Sequence, residues 1–347
     1  MAFLFRRRFM YIIPLNKAQF NQQETILIQS EDFKVSALKY NSGVEGLKIE
    51  NAKGYLTILP YMGQMIWDAK FLGEDICMEN MFSEPKPSNE IVATYGCFAF
   101  HSGMIRNGCP SPEDDHPLHG EMPCANMDKV WLEVDEYQIT LKGEYEYVMG
   151  FGDHYLATPS VSIEKGASMF EIKMKVQNLA SVPMPLQYMC HMNTAYFPEA
   201  KMTQNIPDSA VKLRKSIPGH VKPTQQWLDF NDTLKAQSAP IHQLSAPDMY
   251  DPEIVYFMDN LSQHTDNAEF EMTIPNGKTL ITRFDTTEFN YATRWILYNG
   301  DQKVGAYVLP ATCRPEGYLA AEKNGTLIQL QPKEVREFTV KTGIIEK

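Results

Sequence analysis

The segment Phe170-Glu-Ile-Lys-Met-Lys-Val-Gln177 alternates apolar and polar residues without a break. Successive side chains of an extended chain point to opposite faces, so Phe170, Ile172, Met174 and Val176 share one face. Glu171, Lys173, Lys175 and Gln177 share the other. One face against a core and one against water is the pattern of an antiparallel sheet. The same period appears in Tyr137-Gln-Ile-Thr-Leu-Lys142, and residues 325–330 with 334–342 read as a closing strand pair. Asn276-Gly277, Asn299-Gly300 and Asn324-Gly325 suit tight connections between strands. Twenty-two prolines interrupt helical hydrogen bonding along the chain, so long helices are not expected. Short helical pieces are predicted near residues 89–94 and 251–259, and long surface loops at 83–88 and 238–252. No repeat or linker divides the chain. It reads as one large antiparallel β-sandwich domain over residues 10–347, with 1–9 a disordered tail.

A formal charge of −11 argues against nucleic acid as a partner, because phosphate contacts need a basic surface. No run of about 18 apolar residues is present, so no membrane span is expected. The basic cluster Arg6-Arg-Arg8 precedes an apolar run that ends at Pro14, too short for a signal peptide. A cytoplasmic protein is the expectation. Cys77, Cys97, Cys109, Cys124, Cys190 and Cys313 form no C-x-x-C pair and no zinc-finger spacing, and read as buried, reduced thiols.

Three polar clusters interrupt this apolar pattern. The first, residues 100–121, holds His101, His116 and His119 with Arg106, Asn107 and several carboxylates, in backbone made irregular by Gly103, Gly108 and Pro117. Irregular loops at strand ends are where sites tend to lie. His116, His119 and Glu121 are also metal-ligand types, but their spacing matches no standard motif, and a loop whose histidines satisfy turn carbonyls explains them better than a metal does. The second cluster is His191 and Asn193, two residues apart, so an extended backbone projects both into one space. Imidazole changes charge near neutrality, the property that acid–base chemistry requires. Taken alone, a histidine between Cys190 and Met192 is more often a hydrogen-bonded core residue than a catalyst. The third cluster, Arg314 and Glu316, sits in a Pro/Gly-bent turn after an apolar run. Trp67, Trp131, Trp227 and Trp295 offer flat faces to a sugar ring or to a core.

In order, these clusters resemble the aldose 1-epimerase, or galactose mutarotase-like, superfamily, in its poorly characterised epimerase-like branch. The resemblance rests on Leu118-His119-Gly120 with Pro123-Cys124-Ala125, on Val176-Gln-Asn178 with Pro183, and on Met189-Cys-His191-Met-Asn193. It extends to Gly54-Tyr-Leu-Thr-Ile-Leu-Pro60 and to the ending Asn324-Gly325 through Pro332-Lys-Glu334. It implies a large antiparallel β-sandwich that binds a monosaccharide or sugar derivative and interconverts its anomers by ring opening, with no metal or organic cofactor. An acid and a base must then face each other across the sugar. The resemblance implies His191 as general acid and His119 as holding substrate oxygens. Arg106 falls near a sugar-binding arginine, and Asn193 and His101 join the substrate-binding set. Asp248 and Asp251 stand near a substrate-binding aspartate, with Asp251 kept as the candidate.

One departure matters. Where the resemblance implies a glutamate base, the strand reads Tyr307-Val-Leu309-Pro310. Glu316 becomes the candidate catalytic base, with Glu322 behind it. Two other functions stay open on the same scaffold: a non-catalytic sugar-binding or sensory protein, and a sandwich-fold polysaccharide lyase or glycoside hydrolase. Oligomeric state is open too, with a homodimer among the arrangements allowed.

Overall fold

The run 170–177 forms the middle of the strand Met169–Asn178, and its four apolar side chains are all buried. This strand pairs antiparallel with His154–Glu164 on one side and Val335–Glu346 on the other. The computed structural model describes residues 10–217, 221–237 and 239–347, so the tail expected at 1–9 lies outside the described residues. The strand 169–178 is the centre of a nine-stranded sheet whose edges are Tyr11–Leu15 and Lys201–Gln204.

The second sheet has thirteen strands. One half is a meander of Thr25–Gln29, Lys34–Lys39, Glu45–Asn51, Gly54–Leu59 and Met65–Phe71. The other half runs in space Ala99–Met104, Met184–Met192, Lys303–Ala311, Tyr291–Tyr298, Ile254–Asp259 and Val211–Leu213. The two sheets face each other across one apolar core, where Phe170 of the first meets Phe71 and Phe98 beside the second, at 5.8 Å between ring centroids in each case. Tyr188 likewise meets Phe338 at 4.9 Å. Burying an aromatic of this size stabilises the fold by roughly 1.5–3 kcal/mol. The fold is therefore the antiparallel β-sandwich that the alternation predicts.

Several local expectations are corrected. The strands Ile328–Leu330 and Val335–Glu346 do not pair with each other. The first adds to Met184–Leu186 and the second enters the other sheet, so the segment between them crosses from sheet to sheet. Asn324-Gly325 ends the short helix Tyr318–Lys323 instead of joining two strands. The helix expected at 251–259 is the strand Ile254–Asp259, whose neighbours across the sheet outweigh its local pattern. The helix Gln225–Gln237 was not foreseen, although Trp227, Asn231 and Leu234 are buried along it at helical spacing. Asn276-Gly277 and Asn299-Gly300 do turn hairpins, and residues 91–94 form one short 3-10 turn. All six cysteines are free. No helix among the described residues is long and apolar enough to cross a membrane.

Candidate functional site

Alternation along the strand 184–192 builds the first part of the site. Tyr188, Cys190 and Met192 point into the core, which leaves Met189 and His191 on the opposite, outward face of the thirteen-stranded sheet. The neighbouring strands present Leu309, Thr293, Trp295 and Val255 to the same side. Together with loop residues they enclose a cavity of about 350 Å³, in the range of small-molecule sites.

His191 is 5% exposed and lies flat on Phe100, with centroids 4.5 Å apart and the rings 14° from parallel. Its Nε2 meets the Tyr95 hydroxyl at 3.2 Å. The Trp295 ring stands edge-on to it at 5.9 Å. Burial holds the imidazole well below its usual pKa, and the neighbouring His119 pushes in the same direction. The Asn193 carboxamide, within electrostatic reach, opposes that shift. The imidazole Nδ1 and the Asn193 Oδ1 both lack a partner within hydrogen-bonding geometry. His191 is thus neutral at pH 7. Burial likewise raises the Tyr95 phenol well above its ordinary value, so it stays protonated.

His119 reaches the cavity from the loop after the strand 99–104. Its ring centroid is 4.6 Å from that of His191, with the planes at 77°. Its backbone sits in the left-handed region, φ 63°, a conformation that costs a non-glycine residue energy and is held here by its surroundings. The His119 backbone N–H donates to the Gly108 carbonyl, and its own carbonyl accepts from Gly103 N–H. Gly120 follows, at φ 80°, because a Cβ there would sit 1.9 Å from the Arg106 carbonyl oxygen. The tautomer of His119 follows from the hydrogen-bond network. Ser102 Oγ lies 2.5 Å from Asn107 Oδ1 and has one proton to donate, so His119 Nδ1, 3.1 Å from that Oγ, is the donor in their contact. Nε2 then carries the acceptor lone pair.

The carboxylate of the cavity is Glu253, 8% exposed, just before the strand 254–259. Arg214 Nη2 donates to its Oε1 at 2.5 Å and Trp295 Nε1 to its Oε2 at 2.8 Å. Trp227, from the helix 225–237, donates its indole N–H to the Glu253 backbone carbonyl at 2.9 Å. Side chain and backbone are therefore both held, from three separate elements.

Of the residues singled out in the sequence, His119, His191 and Trp295 come together and the other candidate site residues do not. Glu316 lies outside the cavity, beside Arg314 at 3.7 Å, because its turn is pinned to the 108–109 loop by a bridge between Gly108 and Glu316. Leu309, not a carboxylate, faces the cavity from the strand 303–311. Asn193 follows the last residue of its strand, so alternation no longer governs it, and its Nδ2 turns to the Cys97 carbonyl at 2.9 Å. His101 faces the other way, into the core, where its Nδ1 meets the Tyr188 hydroxyl at 2.8 Å. Arg106 stacks on Tyr318 at 4.0 Å and approaches Asp115 at 3.8 Å. Asp251 accepts from Asn299 Nδ2 at 3.3 Å, away from the cavity lining. Trp295 is the tryptophan of the cavity wall. Among the described residues, no three His, Cys, Asp or Glu side chains converge as a metal-binding set.

Glu253, Arg214 and Tyr95 were missed in the sequence. Arg214 sits in the run Lys212-Leu-Arg-Lys215, which reads as an ordinary charged surface. Glu253 carries the one usable signal, a carboxylate opening the apolar run Ile254-Val-Tyr-Phe-Met258.

Residues 41–206 and 218–344 match the family model described as a domain of unknown function, DUF4432. No curated protein matches the sequence. Solved structures of similar fold include a candidate aldose 1-epimerase from Klebsiella pneumoniae, 13% identical, with a TM-score of 0.77 over 98% of this chain and 92% of that one. A galactose mutarotase-like protein from Clostridium acetobutylicum is 13% identical, with a TM-score of 0.60 over 92% of this chain and 100% of that one. A galactose 1-epimerase from Lactobacillus acidophilus is 11% identical, with a TM-score of 0.55 over 93% and 98%. At these identities the likeness is one of fold.

Proposed function

The chain belongs to the DUF4432 family and has the galactose mutarotase-like fold, and from that premise we propose that it binds a sugar and interconverts its anomers by acid–base ring opening. One observation carries this reading: two imidazoles 4.6 Å apart in a cavity of about 350 Å³, walled by Trp295. Ring opening takes the proton from the anomeric hydroxyl and delivers one to the ring oxygen, and closure on the other face reverses both transfers. Ring opening therefore needs one group that gives a proton up and one that takes a proton in the same step. His191, backed by Tyr95, delivers the proton to the ring oxygen from its protonated form, a minor and strongly acidic species because burial favours the neutral ring, and takes that proton back on closure. His119, with its lone pair on Nε2, accepts a hydrogen bond from another. Glu253 is the carboxylate across Trp295 from His191 and takes the role of base, in place of Glu316. The Trp295 ring offers an apolar face to the C–H side of the sugar.

Anomer exchange followed by NMR tests this, using freshly dissolved glucose, galactose, a 6-deoxyhexose and a uronic acid. His191→Ala should lower the catalysed rate by about 10²–10⁴, the usual weight of a positioned acid–base group, and His119→Ala should lower it less, through the lost sugar contact. Glu253→Gln should match His191→Ala, and Glu316→Gln should change little. Loss with Glu316→Gln alone would return the base to Glu316. Leu309 favours a second reading, since the resemblance implies a carboxylate at that wall: a non-catalytic sugar binder. Sugar affinity with no acceleration for any of the four would select it.

A further inference from the structure

The strand Ile254–Asp259 sends Val255, Phe257 and Asp259 to the same outward side, and each lines a different hollow. Val255 belongs to the cavity with the two histidines. Phe257 belongs to a groove beside it of about 630 Å³, larger than the cavity itself. Asp259, bound to Arg314, lines a third hollow of about 240 Å³. At roughly 3.4 Å per residue the three side chains span on the order of 14 Å. Val92, Cys109, Leu118, Arg214 and Pro315 line both the cavity and the groove. Glu316 lines both the groove and the third hollow. The cavity is thus one end of a continuous depression.

The groove has the chemistry of a second sugar ring. Pro110, Pro112, Pro315 and Phe257 supply apolar surface for the C–H faces of a pyranose, while Ser111, Ser216 and Glu316 stand among them with groups for its hydroxyls. Ser216 and Pro112 are exposed, so the groove is reachable from solvent.

We propose that the substrate is the reducing end of a disaccharide or longer glycan, with its first ring in the His119–His191 cavity and its next ring in the Phe257 groove. This rests on the sugar reading above. No bond is made or broken in the groove; it adds binding and decides which sugars are held best.

Isothermal titration calorimetry tests it with maltose, lactose and melibiose against glucose, and galactobiose against galactose. The wild-type chain should bind at least one disaccharide roughly tenfold or more tightly than its own reducing-end monosaccharide, about 1.4 kcal/mol. Ser216→Trp and Pro112→Trp, at exposed positions on the groove, should each bring that ratio down towards one, with circular dichroism confirming that both variants fold. Equal affinity for monosaccharide and disaccharide would overturn the groove and leave the sugar reading standing. A disaccharide advantage untouched by both substitutions would place the second ring elsewhere and also overturn it. Failure of every sugar to bind would overturn the sugar reading itself, and this inference with it.

Discussion

Two histidines on neighbouring strands show how one register separates roles. His191 pairs across the sheet with Phe100 and points outward to the cavity, whereas His101, opposite Cys190, points into the core. Burial pushes the His101 imidazole down to about 3, and His191 is lowered in the same direction. In the unfolded chain both titrate near 6.5. Between about pH 6.5 and 3 the unfolded state therefore binds protons that the folded state refuses. The stability these groups contribute is present above 6.5 and is lost as the pH falls towards the folded value. Each fully differential proton adds a slope of about 1.4 kcal/mol per pH unit. Urea unfolding at pH 7 and pH 5 should show this loss. His101→Gln, which keeps a hydrogen-bonding group beside Tyr188 but cannot titrate, should remove about one proton's worth of the slope. An unchanged slope in the variant would mean that His101 is not held neutral by the fold.

At the scale of elements, Arg294 shows what ties the site strands to the rest of the sheet. Its side chain is fully buried, with burial lowering its pKa to about 10, and it donates to the carbonyls of Tyr307 and Ile241 and to Gln204 Oε1. It thereby joins the strand 291–298 to its neighbour, to a loop and to the edge of the other sheet. Arg294→Met is expected to destabilise the chain by on the order of 3 kcal/mol, because the buried Tyr307 carbonyl and two part-buried acceptors lose their donor, partly offset by no longer burying a charge. A thermal melt within a degree or two of wild type would show that water replaces the guanidinium at little cost. Nothing local marked Arg294, since it occupies one inward place in the run Tyr291–Tyr298 and its partners come from distant segments. The same physics divides what could be read in advance from what could not. Phe170 to Val176 declare their strand because the alternation is local, and Gly103, Gly108 and Pro117 declare irregular backbone around His119 because their effect on the chain is local too. Glu253 and Arg214 meet across 39 residues of sequence, and Glu316 is kept from the cavity by a bridge to Gly108; tertiary contacts, not spacing, decide both. The helix 225–237 escaped notice because its buried stripe, Trp227, Asn231 and Leu234, includes a polar residue.

For the whole molecule, the question is which charge an approaching ligand feels. The chain carries a formal charge of −11. Inside the cavity, Arg214 is matched by Glu253 at 2.5 Å, and His191 is held neutral, so the lining offers little net positive charge of its own. At about 0.01 M salt the Debye length is roughly 30 Å, and an anion reaching the mouth feels most of the protein; at 0.15 M it is roughly 8 Å and feels mainly the nearby wall. The long-range field should then disfavour acidic sugars at low ionic strength and leave neutral ones unaffected. Binding or anomer exchange measured with a uronic acid and its neutral hexose across that salt range should show the uronate improving several-fold relative to the hexose as salt rises. The opposite trend, a uronate weakened by salt, would mean that Arg214 presents its charge to the ligand despite Glu253, and that the cavity is built for anions on a chain whose overall field repels them.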